Sequence, residues 1–176
     1  MDVQFNKVLR ADINIGFAEP VSRSVRWDLE RLPGVKSAEA TRSIPVRLRA
    51  GHRSYRTALT GLADDAALQR ILDPELREAK PVPGGVLLTT RLASRLGVAP
   101  GDTLMAELLD GKRIKTQVRV AGAVREMAGM NAYMRLEELN RLADDQDTIA
   151  EMIGDAPAAT TLRRQAAELR RIARKL

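Results

Sequence analysis

Side chains able to move protons or hold metals are sparse in this chain of 176 residues. Nucleophilic catalysis of the Ser–His–Asp kind needs an imidazole to relay the proton. His52 is the one histidine. It falls in a predicted hairpin turn, Ala50-Gly51-His52, among arginines and with no carboxylate beside it to orient the ring, so it reads as a surface turn residue. Asp144, Asp145 and Asp147 are hard oxygen ligands close together, yet the central glycine and final glutamate of a calcium loop are missing. They read as a solvated helix terminus. Cysteine is absent, which excludes disulfides, thiol chemistry and the usual zinc clusters. No glycine-rich phosphate loop occurs, and Gly97-Val98-Ala99-Pro100-Gly101 is an ordinary turn. The sequence therefore nominates no catalytic, cofactor-binding or metal-binding residue. If ATP drives this protein, its hydrolysis belongs to another chain.

What remains is surface chemistry. The net charge of +6 is unevenly placed. Arg42, Arg47, Arg49, Arg53 and Arg56 lie together without an acid. Arg163, Arg164, Arg170, Arg171, Arg174 and Lys175 face Glu168 alone. Each stretch is either a solvated face or the footprint of an anionic partner such as lipid headgroups or nucleic acid. Met127, Met130 and Met134, with Ala128, Gly129 and Ala132 between them, form a soft apolar stretch of the kind that plugs a core or repacks at a contact. Trp27 is a single aromatic that could mark a contact surface. Arg47, Arg49, Arg53, Met127 and Met130 are the candidate residues for a partner or membrane-surface contact.

The elements that must position these residues follow from periodicity. Residues 11–17 alternate, with Ala11, Ile13, Ile15 and Phe17 on one face, which predicts a half-buried strand. Val21, Val25, Leu29 and Leu32 recur at helical spacing after Pro20, and Pro33-Gly34 ends that helix. Ile44, Val46 and Leu48 alternate with Pro45, Arg47 and Arg49, which predicts an edge strand or a bulge because proline cannot donate to a ladder. Residues 55–62 return as its hairpin partner. Residues 64–72 read as a short helix capped by Asp64, and Pro74, Pro81, Pro83, Gly84 and Gly85 as a linker.

A second unit begins at Gly85 with a short buried strand through Leu88 and a brief helix through Leu96, closed by Gly97 in the left-handed region. Residues 103–109 form a strand, Asp110-Gly111 a hairpin turn, and Ile114, Thr116, Val118 and Val120 fall on one face of the return strand. A helix follows over residues 136–143. Residues 148–153 are a possible strand, and Leu162, Ala166, Leu169, Ile172 and Leu176 make a last helical stripe. This strand-then-helix ending echoes the opening and hints at two related halves flanking residues 73–143. A second βαβ unit would need one more strand, so the natural chain is expected to continue.

Composition agrees with a folded core of modest size. The apolar fraction is 44%, the charged fraction 30% and the aromatic fraction 3%, so aliphatic side chains must fill the interior. No run of eighteen apolar residues exists to span a bilayer as a helix, and the first residues carry no signal-peptide pattern. Such a chain reads either as cytoplasmic or as a loop cut from between two membrane helices.

The order of certain strings carries a family resemblance. Val3-Gln4-Phe5-Asn6 through Phe17-Ala18-Glu19-Pro20 resembles the segment after the first membrane helix of FtsX/MacB-type ABC-transporter permeases. So do Leu32-Pro33-Gly34-Val35, Ile44-Pro45-Val46-Arg47-Leu48-Arg49, Gly51-His52-Arg53 and Thr57-Ala58-Leu59-Thr60-Gly61-Leu62. Further anchors are Gly85-Val86-Leu87-Leu88, Leu92-Ala93, Leu96-Gly97-Val98, Pro100-Gly101-Asp102-Thr103, Ala132-Tyr133-Met134, Leu136 and Leu139-Asn140-Arg141-Leu142. The resemblance covers roughly residues 3–150 and weakens from Ile149 onward. Arg135 stands where relatives often carry a capping Ser or Asp.

The resemblance implies an α+β fold. A ferredoxin-like, βαβ-based subdomain would be built from both chain ends (residues 1–72 plus 144–176), with a small β-rich subdomain inserted over residues 73–143. It implies a domain in the periplasm or extracytoplasmic space, held at the cell inner membrane by missing membrane helices. The domain would be no enzyme and hold no cofactor. Its partners would be a cytoplasmic ABC ATPase, a second permease chain and a possible periplasmic adaptor protein, with no nucleic acid. The role implied is transmission of ATPase-driven motion across the membrane for export or extrusion. The rival reading of the same residues is a soluble basic nucleic-acid-binding module, supported by the arginine clusters and opposed by the scarcity of stacking aromatics.

Overall fold

The computed structural model describes residues 8–17, 21–22, 24–110, 114–126 and 129–151, with the side chains of 144–151 excepted. Its fold is α+β, as expected. In chain order the elements are α1 (Ser24–Glu30), β1 (Arg42–Ala50), β2 (Arg53–Leu62), β3 (Ile71–Leu72), β4 (Glu78–Ala79), β5 (Val86–Thr89), α2 (Thr90–Leu96), β6 (Thr103–Leu108), β7 (Lys115–Val124), β8 (Ala132–Arg135) and α3 (Leu136–Glu151).

Six strands pair in a ring, β1-β2-β8-β5-β7-β6, while β3 and β4 form a separate two-stranded ribbon. The pairs β2–β8 and β5–β7 are parallel and the rest antiparallel. β1 and β2, from the first stretch of the chain, thus share one ring with strands of residues 73–143. Ile44, Val46 and Leu48 point inward beside Leu59, Val86, Leu88, Leu104, Ala106, Val118 and Val120. The alternation read from β1 and β7 is what this geometry demands, since a barrel wall has one dry and one wet face.

The helices close the interior. On α2, Leu92, Ala93 and Leu96 are buried, and Gly97 adopts φ 70° with its N–H on the Ser94 carbonyl while the Val98 N–H reaches Ala93. This is the left-handed stop expected there. α3 lays Leu139 and Ala143 into the same core. It approaches β2 at Gly61, where an added Cβ would stand 2.9 Å from Leu139 Cδ2. A smaller cluster of Leu62, Ile71, Leu87 and Val124 joins the β3–β4 ribbon to the ring.

Several expectations are corrected. Residues 11–17 are not a strand: Ile13 is 72% exposed, and the segment has no ladder partner among the described residues, the isolated bridge from Leu9 to Gln69 lying just before it. Alternation makes a strand only where a neighbouring edge is free to pair. The following helix is shorter than its stripe and buries none of its residues.

Residues 64–72 are not helical. The Glu39 carboxylate accepts the N–H groups of Ala67 and Leu68, and Val8 and Arg10 pair with Arg70 and Leu68, so distant partners hold the backbone groups a helix would use. Asp64 pairs with Arg135 instead of capping. β1 is not an edge strand, for it pairs on both sides. Pro45 is tolerated because it lies one residue outside the β1–β6 ladder of Val46–Arg49. Residues 148–151 continue α3 rather than forming a strand. No glycine or proline follows Ala143 to stop the helix before that point. Gly111 of the Asp110-Gly111 turn and the stripe over 162–176 lie outside the described residues.

Candidate functional site: a basic barrel wall

The side chains between the inward residues of β2, β1, β6 and β7 form one continuous outer wall. Register fixes the neighbours: Arg47 lies opposite Arg56 on β2 and Glu107 on β6, and Glu107 in turn lies opposite Lys115 on β7. Arg49 and Arg119 stand two and four residues along the same faces as Arg47 and Lys115. Neither α2 nor α3 covers this wall; their buried residues enter the core.

At its centre is Glu107, the one buried carboxylate among the described residues at 7% exposure. Burial raises the cost of its charge, but Arg47 Nη1 donates to Glu107 Oε2 at 2.8 Å, and the charges of Arg47, Lys115 and Arg49 add to that. The net effect holds Glu107 below its ordinary carboxylate range. Glu107 therefore stays ionised and holds Arg47 in a mostly buried ion pair. Arg49, Arg56, Lys115 and Arg119 are exposed and form no ion pair among the described residues.

The five sequence-nominated residues separate. Arg47 and Arg49 are neighbours on this wall. Arg53 is not: it opens β2 after a two-residue turn in which Gly51 has φ 56°. This is the hairpin geometry that favours glycine at the first turn position. The Arg53 guanidinium lies against Gly97 at the end of α2, and Arg95 stacks over Tyr55 with 5.7 Å to the ring centre. Arg53 thus sits beside the C-terminal end of a helix, where a cation is favoured. Met130 is half-buried against the main core, and its carbonyl accepts from Thr57 Oγ1 at 2.9 Å. Met127 lies outside the described residues. His52 sits in the hairpin turn, exposed.

Sequence reading missed Glu107, Lys115 and Arg119. The alternation of β7 already placed Lys115 and Arg119 on its wet face, but only strand order reveals that this face continues the wet face of β1. A second polar cluster lies across the ring, where Tyr133 Oη donates to Glu126 Oε1 at 2.7 Å and Asn131 Nδ2 to Glu126 Oε2 at 2.8 Å. Burial, then the adjoining Glu126 carboxylate, push the Tyr133 hydroxyl well above its ordinary value of 10. Both carboxylate oxygens are occupied, so this cluster ties Glu126, after β7, to Asn131 and Tyr133 at the start of β8. Among the described residues no group of His, Asp or Glu is arranged to hold a metal ion, and no helix is long and apolar enough to cross a membrane.

No family model matches the chain, and no curated protein matches it. Among solved structures it is similar to the extracellular domain of noncanonic ABC-type transporter YknZ from Gram-positive bacteria. The identity is 16%, the match covers 72% of this chain and 68% of that one, and the TM-score is 0.49.

Proposed function

We propose that this chain is the extracytoplasmic domain of an FtsX/MacB-type ABC-transporter permease, a non-catalytic relay of motion generated by an ATPase on another chain. The supporting observation is where the resembling strings fall. Ile44 to Arg49 lies in β1, Thr57 to Leu62 in β2, Val86 to Leu88 in β5, Leu92 to Leu96 in α2, Ala132 to Met134 in β8 and Leu139 to Leu142 in α3. Val46, Leu48, Leu59, Leu88, Leu92, Leu96, Met134 and Leu139 from those strings meet in a single core. The strings Leu32 to Val35, Gly51 to Arg53 and Pro100 to Thr103 fall at turns between these elements.

A ring of strands whose core is closed by side chains of α2 and α3 suits a relay, because a close-packed core transmits displacement instead of absorbing it. In this reading the chain ends, residues 1–72 and 144–176, lead toward membrane helices. A second permease chain or a periplasmic adaptor receives the motion that drives export.

The test uses the parent gene product in intact cells. The chain has no cysteine, so Ser94→Cys, on the exposed side of α2, gives a unique handle within this domain. A membrane-impermeant maleimide should label Ser94→Cys in whole cells or spheroplasts, above the unsubstituted parent, with an ABC ATPase copurifying. Labelling only after lysis overturns the proposal.

A further inference from the structure

We propose that the outer wall of β2, β1, β6 and β7 docks onto an anionic lipid surface. Four exposed cations, Arg49, Arg56, Lys115 and Arg119, surround the Arg47–Glu107 pair. They come from three strands on one side of the ring. The only carboxylate on the wall is buried and bonded to Arg47, so the exposed charge is entirely positive among the described residues.

The chemistry of this wall decides among polyanions. A protein partner would want an apolar centre with aromatic anchors, but the large exposed apolar side chains are Ile13, Ile15, Trp27, Val35, Leu76 and Val82, none on these strands. Single-stranded nucleic acid would want stacking rings, and Tyr55 turns toward the core. Duplex nucleic acid is a cylinder, from which a barrel wall curves away quickly. A flat bilayer keeps more of the wall within the screening length of about 8 Å at physiological salt. Diffuse charge without apolar insertion is sufficient at an anionic bilayer, where each Lys or Arg near the surface strengthens binding about fivefold. The choice of lipid over other anions rests on the extracytoplasmic reading above.

The experiment is co-sedimentation of the 176-residue chain with phosphatidylcholine vesicles, with and without phosphatidylglycerol. Binding should require phosphatidylglycerol and weaken with salt. The double variant Arg49→Gln/Arg56→Gln should lose about twenty-five-fold in affinity. Arg91→Gln, on the exposed side of α2, should bind as the unsubstituted chain, and thermal melts should show both variants folded. The other basic stretch is controlled by Arg170→Gln/Arg171→Gln. Loss of binding confined to that variant overturns the proposal. So does equal binding to neutral vesicles, an unaltered affinity in Arg49→Gln/Arg56→Gln, or duplex DNA bound more tightly than the anionic vesicles. Cysteine labelling in cells reads only which side of the membrane the domain occupies, so failure there and failure here are separate results.

Discussion

Glu107 shows how one residue can organise a surface. Its carboxylate is buried at the centre of a wall that otherwise carries arginine and lysine, and Arg47 holds it ionised. Its native pKa lies below the ordinary 4.5. As pH falls from that ordinary value through the lower native one, the unfolded chain binds the proton first and stability is lost; above 4.5 the contribution is fully present. Glu107→Gln should therefore flatten the acid limb of the stability–pH profile, seen as urea midpoints that converge with those of the unsubstituted chain as pH drops. Identical slopes for the two proteins would show that the pair contributes nothing. Arg47 and Arg49 were legible as candidates because arginines alternate with Ile44, Val46 and Leu48. Their acidic companion was not, since it lies sixty residues away in the chain.

Elements depend on a few places where backbones nearly touch. β5 and β7 run parallel with a register shift between Val86 and Leu87, and beside it a Cβ at Gly85 would lie 2.3 Å from the Arg119 carbonyl oxygen. No side chain fits there without moving a strand. Gly85→Ala should cost about 1–3 kcal/mol, measured as a lowered denaturant midpoint, whereas Ser94→Ala on exposed α2 should change stability by under about 0.5 kcal/mol. In the sequence Gly85 marks the end of a linker, and a turn does precede β5 there. Its second role, allowing close approach of β7, needs the partner strand. Residues 64–72 illustrate the opposite failure. Local composition favoured a helix, but Glu39, Val8 and Arg10 supplied backbone partners from far away.

At the scale of the molecule, burial is concentrated in the ring and its two helices, while α1 buries no residue and Trp27 is 59% exposed. Local opening should follow that distribution. Amide exchange over residues 24–35 should be complete while β1, β5 and β7 remain protected, as measured by hydrogen–deuterium exchange with mass spectrometry. Equal protection of the two regions would mean that α1 is covered in solution. The distribution also suits the proposed role, in which a stiff unit is moved as a whole.

By itself the sequence determined where most strands of the ring run, which face of β1 and of β7 is apolar, and where α2 stops. These are local matters, governed by side-chain alternation, helical spacing and the conformational freedom of residues such as Gly97. Tertiary structure alone decided that β1 pairs with β6, which in turn pairs with β7, that Arg47 meets Glu107 while Arg53 turns away to α2, and that residues 11–17 have no sheet to join. Pairing over long chain distances depends on which edges remain free once every other segment has folded, and no local pattern encodes that.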